Sequence, residues 1–321
     1  MPLLFDTPLD ELPNVQGINP RPDDHDEYWQ RALAEQQATD PAPEFVPADF
    51  QSSIADCHHL WFTGTRGARI HAKLLRPKGQ TAPGPAVLMF HGYTLDSGAW
   101  LDKLGYVAEG VTVAAMDVRG QGGRSQETGG HEGPTLSGHV IRGLDGPPED
   151  MLYRQVFLDT VQLARVVMDL PGVDPDRVSA TGASQGGALT LACAALEPRI
   201  RRAAPVYPWL TDIKRVFDLR GSTGVTAYDE LADWFRRHDP LHRREEEIFT
   251  RLGYIDVQFL APRIQAETLL VIGLMDDICL PSSQYVSFNR ISAPKSVLSY
   301  PDFAHEQLPG HEDAIFRFLT A

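Results

Sequence analysis

Ser184 stands in the run Gly182-Ala183-Ser184-Gln185-Gly186, with Gly187 directly behind it. A serine hydroxyl is a weak nucleophile until a base takes its proton, so the chemistry needs a histidine and a carboxylate to orient it. Downstream of Ser184 the chain offers Asp276, followed by Asp277, and His305, followed by Glu306. Histidine suits the base because its unperturbed pKa lies near neutrality, so one ring can both accept and return a proton. An aspartate at its far nitrogen fixes the tautomer and stabilises the imidazolium. Such a set would attack an acyl carbonyl and pass the serine proton to the leaving alcohol.

These side chains need elements to hold them. Residues 177–181 read as a β-run and 187–196 as a helix of strong helix formers, which puts Ser184 on a sharp strand-to-helix turn. Glycines around it remove side chains that a strained turn would crowd. The run Leu269–Met275 reads as a strand, and Asp276 is the first residue past it, which favours it over Asp277 as the acid. Residues 296–300 read as the next strand and lead through Pro301 to His305. Serine, acid, histidine is the order followed in α/β-hydrolases, each residue on a loop after a strand. His91, His131 and His139 precede the serine and break that order. His311 follows Pro309-Gly310 at a helix start, where a surface or capping role fits.

The rest of the chain fits the same plan. Residues 61–63 and 69–75 read as an antiparallel hairpin, and 85–90 and 111–116 as apolar strands covered on both faces. A helix over Met151–Leu170 stops at Pro171, further strands fall at 203–207 and 268–275, and a helix closes the chain at 311–320. The expected fold is α/β: one domain over 1–321, a mostly parallel, doubly wound sheet with helices on both faces and the site at the strands' C-terminal ends. An arm over 1–48 carries a helix-like segment near 24–37. Residues 209–264 hold helical patterns without a strand and read as a cap above the serine, shaping a pocket or serving packing or subunit contact. The loop 120–146 holds nine glycines but no phosphate-binding pattern, and reads as a structured rim of the site.

Composition bounds the partners. Hydrophobic content of 42% and charged content of 22% are those of a globular chain with a sizeable core. A net charge of −14 argues against nucleic acid and against anionic membrane surfaces. Cys57, Cys193 and Cys279 read as reduced thiols of a cytoplasmic protein. The start of the chain shows no basic segment followed by an apolar one, and no run is long enough to span a membrane. His58-His59 invites a metal, but adjacent strand residues face opposite ways and no further ligand is suitably spaced. No metal or cofactor is called for.

An oxyanion hole needs two N–H donors preset where negative charge develops. The backbone N–H of Gln185 is one candidate. The loop after an early strand, Phe90-His91-Gly92-Tyr93, supplies the other in the N–H of Tyr93, while His91 reads as a structural hydrogen-bonding residue.

Arg119-Gly120-Gln121, then Gly182–Gly186, then His305-Glu306 resembles the ordered signature of carbohydrate esterase family seven, the acetyl xylan esterases and cephalosporin C deacetylases. Phe90–Tyr93, Gly273–Asp276 and Tyr207-Pro208 are similar to that family too, whereas Leu280-Pro281-Ser282-Ser283 departs from its usual Pro-Pro-Ser-Thr. The resemblance implies a serine esterase removing acetyl groups from xylooligosaccharides and cephalosporin C, with a triad of Ser184, Asp276 and His305. It implies Tyr93 and Gln185 at the oxyanion hole, Tyr93 and Pro208 against the substrate, Arg119 and Gln121 as supports, and an intracellular homohexamer. The alternatives are a general short-chain carboxylesterase, an aminopeptidase of the same fold, or an inactive binding protein on that scaffold.

Overall fold

In a computed structural model, residues 6–128, 135–223 and 228–321 are described. His131 lies outside them. The chain opens with helix α1 (His25–Ala38), then β1 (Glu44–Pro47), β2 (Ala55–Thr63), β3 (Arg69–Pro77) and β4 (Gly84–Phe90). It continues through α2 (Leu104–Ala108), β5 (Thr112–Met116), α3 (Leu152–Met168), β6 (Val173–Ala183), α4 (Gln185–Leu196) and β7 (Arg202–Val206). Helices α5 (Ile213–Thr223), α6 (Asp229–His238) and α7 (Glu245–Leu252) follow, then β8 (Glu267–Gly273), α8 (Pro281–Asn289), β9 (Lys295–Tyr300) and α9 (His311–Thr320).

The nine strands form one sheet in the order β1-β2-β3-β5-β4-β6-β7-β8-β9. Pairing is antiparallel from β1 to β5 and parallel from β5 through β4 to β9. The central strands β4 and β5 are continuous apolar runs because both faces are covered: every residue of β5 is buried. The outer strand β2 is buried at alternate positions on opposite faces, Ala55 and Cys57 in a cluster with Leu75 and Val113, and Leu60 and Phe62 in the main core. Helix α4 is buried along its whole length between the sheet and α3, so the element that starts at the serine belongs to the core.

Three differences from the sequence reading have physical causes. Strand β1 lies inside the segment taken as an arm; it is a short, exposed edge strand ending in Pro47, with no apolar alternation to betray it. Strand β6 begins at Val173, well before residue 177, because its polar start (Asp174-Pro175-Asp176) resembles a loop. The loop before Asp276 is longer than expected: β8 ends at Gly273, where the chain turns to meet the His305 loop through Leu274 N–H on Tyr300 O (2.9 Å) and Met275 N–H on Phe303 O (2.9 Å).

Residues 209–264 contain helices and no strand among the described residues. The N-terminal arm docks on them. Trp29 Nε1 donates to Tyr254 O (3.0 Å), and its ring stacks on Phe157 of α3. Asp212 accepts the N–H groups of Ile18 and Asn19 (2.9 Å each), and Asp256 accepts those of Asp212 and Ile213 (3.0 Å each). Two buried carboxylates thus satisfy backbone donors that the irregular chain leaves without ladder partners.

Arg119, just past β5, is fully buried and forks onto Asp159 of α3 with Nε at 2.7 Å and Nη2 at 2.6 Å. Removing one member of such a pair leaves a buried charge unpaired, which costs about 3–5 kcal/mol, whereas apolar replacement of both is far milder. Thermal or urea unfolding should therefore show Arg119→Met as severely destabilised and Arg119→Met combined with Asp159→Leu as substantially recovered.

Candidate active site

Ser184 sits between β6 and α4 with φ 58° and ψ −117°, a conformation that L residues avoid. Its N–H donates to Val206 O (3.0 Å) and its carbonyl accepts Trp209 N–H (3.0 Å), so the turn is pinned to the end of β7. The flanking glycines are required by close approach. A Cβ on Gly182 would lie 2.4 Å from Phe90 O, and one on Gly186 2.1 Å from the same atom.

His305 and Asp276 meet below this turn. His305 Nδ1 lies 2.9 Å from Asp276 Oδ2, and the other carboxylate oxygen accepts the N–H groups of Ile278 (2.9 Å) and Cys279 (2.8 Å). Asp276 is fully buried while Asp277 is exposed, which settles which carboxylate reaches the ring. Burial pushes the Asp276 pKa up, and the imidazole and the two N–H donors pull against it. The ring of Tyr207 rests 4.4 Å from that of His305. Gly273 allows the two loops to close: a Cβ there would stand 2.5 Å from Phe303 O. Glu306 accepts Ala304 N–H (3.1 Å) and so braces the histidine loop.

Cys279 is the neighbour that sequence reasoning missed. Its thiol is held well above the usual value by burial and by Asp276, against an interaction with the Ser184 hydroxyl. Asp276, Cys279 and His305 also form the one set of donors close enough for a metal among the described residues. The Asp276 carboxylate is already committed to three donors, the His305 ring and two backbone N–H groups, so the triplet fits proton handling better.

The two expected oxyanion donors, Tyr93 N–H and Gln185 N–H, have no acceptor among the described residues, while the neighbouring Thr94 N–H bonds Gln121 Oε1 (2.9 Å). The Gln185 side chain explains why a glutamine follows the serine. It exchanges two hydrogen bonds with Gln121 (2.7 and 3.0 Å), accepts the Tyr153 hydroxyl (2.6 Å) and donates to His91 O (3.3 Å). His91 accepts Val118 N–H at Nε2 (2.9 Å) and donates from Nδ1 to Gly92 O (2.7 Å). Both ring nitrogens are spent on loop structure, as its position implied. His311 is not a surface group: it is buried, and its Nδ1 bonds back to Leu308 O.

Ser184 opens onto a cavity of about 300 Å³ lined by Tyr93, Leu136, Ser137, Trp209, Asp229, Glu230 and Ile278. Pro208 is not in its wall. It packs behind the serine turn against Gly187 and lines a small gap beside Leu191 and Leu270, while its neighbour Trp209 lines the cavity. Glu230, which sequence pattern did not single out, accepts the Tyr93 hydroxyl (3.0 Å) and the N–H groups of Gly138 and Val140. The glycine-rich loop and the helical segment are thus joined through Glu230 at the cavity rim.

The family model described as acetyl xylan esterase (AXE1) matches residues 1–321. Among solved structures, acetyl xylan esterase 1 from Thermoanaerobacterium sp. JW/SL YS485 is 53% identical, with 98% of each chain covered and a TM-score of 0.94. The acetyl xylan esterase from Paenibacillus sp. R4 is 33% identical, covering 98% of this chain and 99% of that one, with a TM-score of 0.91. A curated relative, acetyl esterase Axe7A from Xylanibacter ruminicola, is 27% identical over 290 residues, 88% of this chain. The match spans 63% of that relative's length.

Replacing Gln185 by leucine would strand the Gln121 amide and the Tyr153 hydroxyl in the core, at about 1–3 kcal/mol for each unsatisfied group. Thermal unfolding should show Gln185→Leu and Gln121→Leu each destabilising, and the double variant costing clearly less than their sum. An additive pair would disprove the coupling.

Proposed function

The chain belongs to the acetyl xylan esterase family and is a carboxylic ester hydrolase that removes acetyl groups, and on that premise we propose that Ser184, His305 and Asp276 carry a two-step acyl transfer on small acetylated substrates. The observation that carries this reading is the Asp276–His305 hydrogen bond set beside a strained serine that opens onto a cavity of about 300 Å³. Ser184 Oγ attacks the acetyl carbonyl as its proton passes to His305. The resulting oxyanion is received by the N–H groups of Tyr93 and Gln185. Collapse breaks the ester C–O bond, and His305 returns the proton to the departing alcohol. Water then attacks the acetyl-serine with its proton going to His305, and acetate leaves as that proton returns to Ser184.

The substrates proposed are acetylated xylooligosaccharides, cephalosporin C and related acetate esters. Trp209, Ile278 and Tyr93 crowd the space next to the serine, which favours an acetyl over a longer acyl chain. The assembly proposed is a cytoplasmic homohexamer; three free, buried cysteines support a reducing compartment.

Acetate release from these substrates, with Ser184→Ala as the comparison, tests the reading. Ser184→Ala should lose at least about 1000-fold in kcat, since triad removal ordinarily costs orders of magnitude. p-Nitrophenyl acetate should be turned over faster than the butyrate and far faster than the octanoate. Faster hydrolysis of octanoate or of an aminoacyl anilide would instead favour a long-chain esterase or a peptidase.

A further inference from the structure

A second cluster of ionisable side chains lies outside the site described above. His59 on β2 is paired across the ladder with Lys73 of β3, and Trp61 with His71, so all four lie on one face of that ribbon. His59 Nδ1 is 2.8 Å from His71 Nε2, and His71 Nδ1 is 2.6 Å from Asp117 Oδ2. Asp117 is buried and also accepts the N–H groups of Ser97 (2.8 Å) and Arg124 (2.9 Å). At the other end of the chain of rings, Arg124 Nη1 stands 3.4 Å from His59 Nε2. The outer ends of these groups face a cavity of about 280 Å³, which Lys73, Asp96 and Trp100 also line.

The cavity lining carries two cations, Lys73 and Arg124, and two carboxylates, Asp96 and Asp117. Among the described residues neither Lys73 nor Arg124 has a carboxylate partner at ion-pair distance, although the chain carries a net charge of −14. The Lys73 ammonium donates to Gly98 O and lies over the Trp100 ring. Asp117 is saturated by its three donors, and Asp96 accepts Gly98 N–H (2.7 Å) at the rim. Lys73 and Arg124 thus converge on an open cavity with no carboxylate at ion-pair distance, while Asp117 and Asp96 are engaged by N–H donors, which leaves the two cations to receive an anion.

The hydrogen-bond order adds a proton. An ionised Asp117 fixes the His71 proton on Nδ1, so His71 Nε2 accepts from His59 Nδ1–H, and His59 Nε2 is left as a lone pair facing Arg124. A lone pair repels an anion, whereas an Nε2–H donates to one. We propose that the cavity framed by His59, Lys73 and Arg124 is a binding site for a small oxyanion, a carboxylate or a phosphate group, and that the anion enters together with a proton on His59. Burial and then the nearby His71, Arg124 and Lys73 hold the His59 pKa down, with Asp49 opposing them. Asp96 at the rim and Asp117 behind His71 complete the charged groups that face it. A bound anion raises that pKa, so binding takes up a proton and strengthens as pH falls.

Isothermal titration of the full chain tests this, with sulfate as the first probe because its charge is constant across neutral pH. Sulfate should saturate one site per chain, with affinity rising up to about tenfold per unit fall in pH and a heat that varies with the buffer's ionisation enthalpy. Competition by inorganic phosphate and by acetate then shows which headgroup the site prefers. Lys73→Met and Arg124→Met should each weaken binding by about tenfold or more, with p-nitrophenyl acetate hydrolysis unchanged. His59→Gln keeps a donor and should bind with the pH dependence removed. Absence of saturable binding by all three anions, or binding that survives both cation removals, would overturn the site. A pH dependence that persists in His59→Gln would overturn the proton coupling.

Discussion

The backbone of Ser184 is the constraint on which the rest depends. A residue at φ 58° and ψ −117° persists only where its surroundings over-determine it. Here β6 and β4 are in register up to Gly182 and Phe90, and the carbonyl of Phe90 occupies the space that side chains at 182 and 186 would need. The wholly buried α4 anchors the far side of the turn, and bonds to Val206 O and Trp209 N–H hold its near side. Moving any of these elements would release the turn.

Around it lies a layer of buried polar side chains with no unmet partner at its centre. Gln185 joins the serine turn to Gln121 and Tyr153, Gln121 reaches Thr94 beside Tyr93, and Arg119 ties the same loop to α3 through Asp159. Low local dielectric makes such a network strong when complete and costly when broken. It therefore ties the serine turn to the loop that carries Tyr93. Helix α6 adds a clamp from outside, with Glu230 holding the Tyr93 hydroxyl.

Much of this was legible because the chemistry-bearing residues sit at element ends, where sequence pattern is strongest. An apolar run signals a covered strand, and the loop after it falls at the sheet's C-terminal edge; Asp276 lies on the loop after β8 and His305 on the loop after β9. What stayed hidden depends on contacts between distant segments. Glu230 meets Tyr93 across 137 positions, and nothing in a helix-start acidic residue announces that. Trp209 stood only as the first residue of the 209–264 segment, yet it lines the cavity, whereas its neighbour Pro208 lies outside the wall. Helix α8 buries polar Ser282, Ser283, Gln284 and Ser287 along with Tyr285 and Val286, so it carries no apolar stripe for periodicity to reveal.

The most direct test is intact and peptide mass spectrometry of the protein after rapid acid quench during turnover of an activated acetate ester. The account predicts one added acetyl group, located on the peptide containing Ser184 and lost on further incubation at neutral pH. Turnover with the adduct on another residue, or a Ser184→Ala protein that still accumulates the adduct, would contradict it.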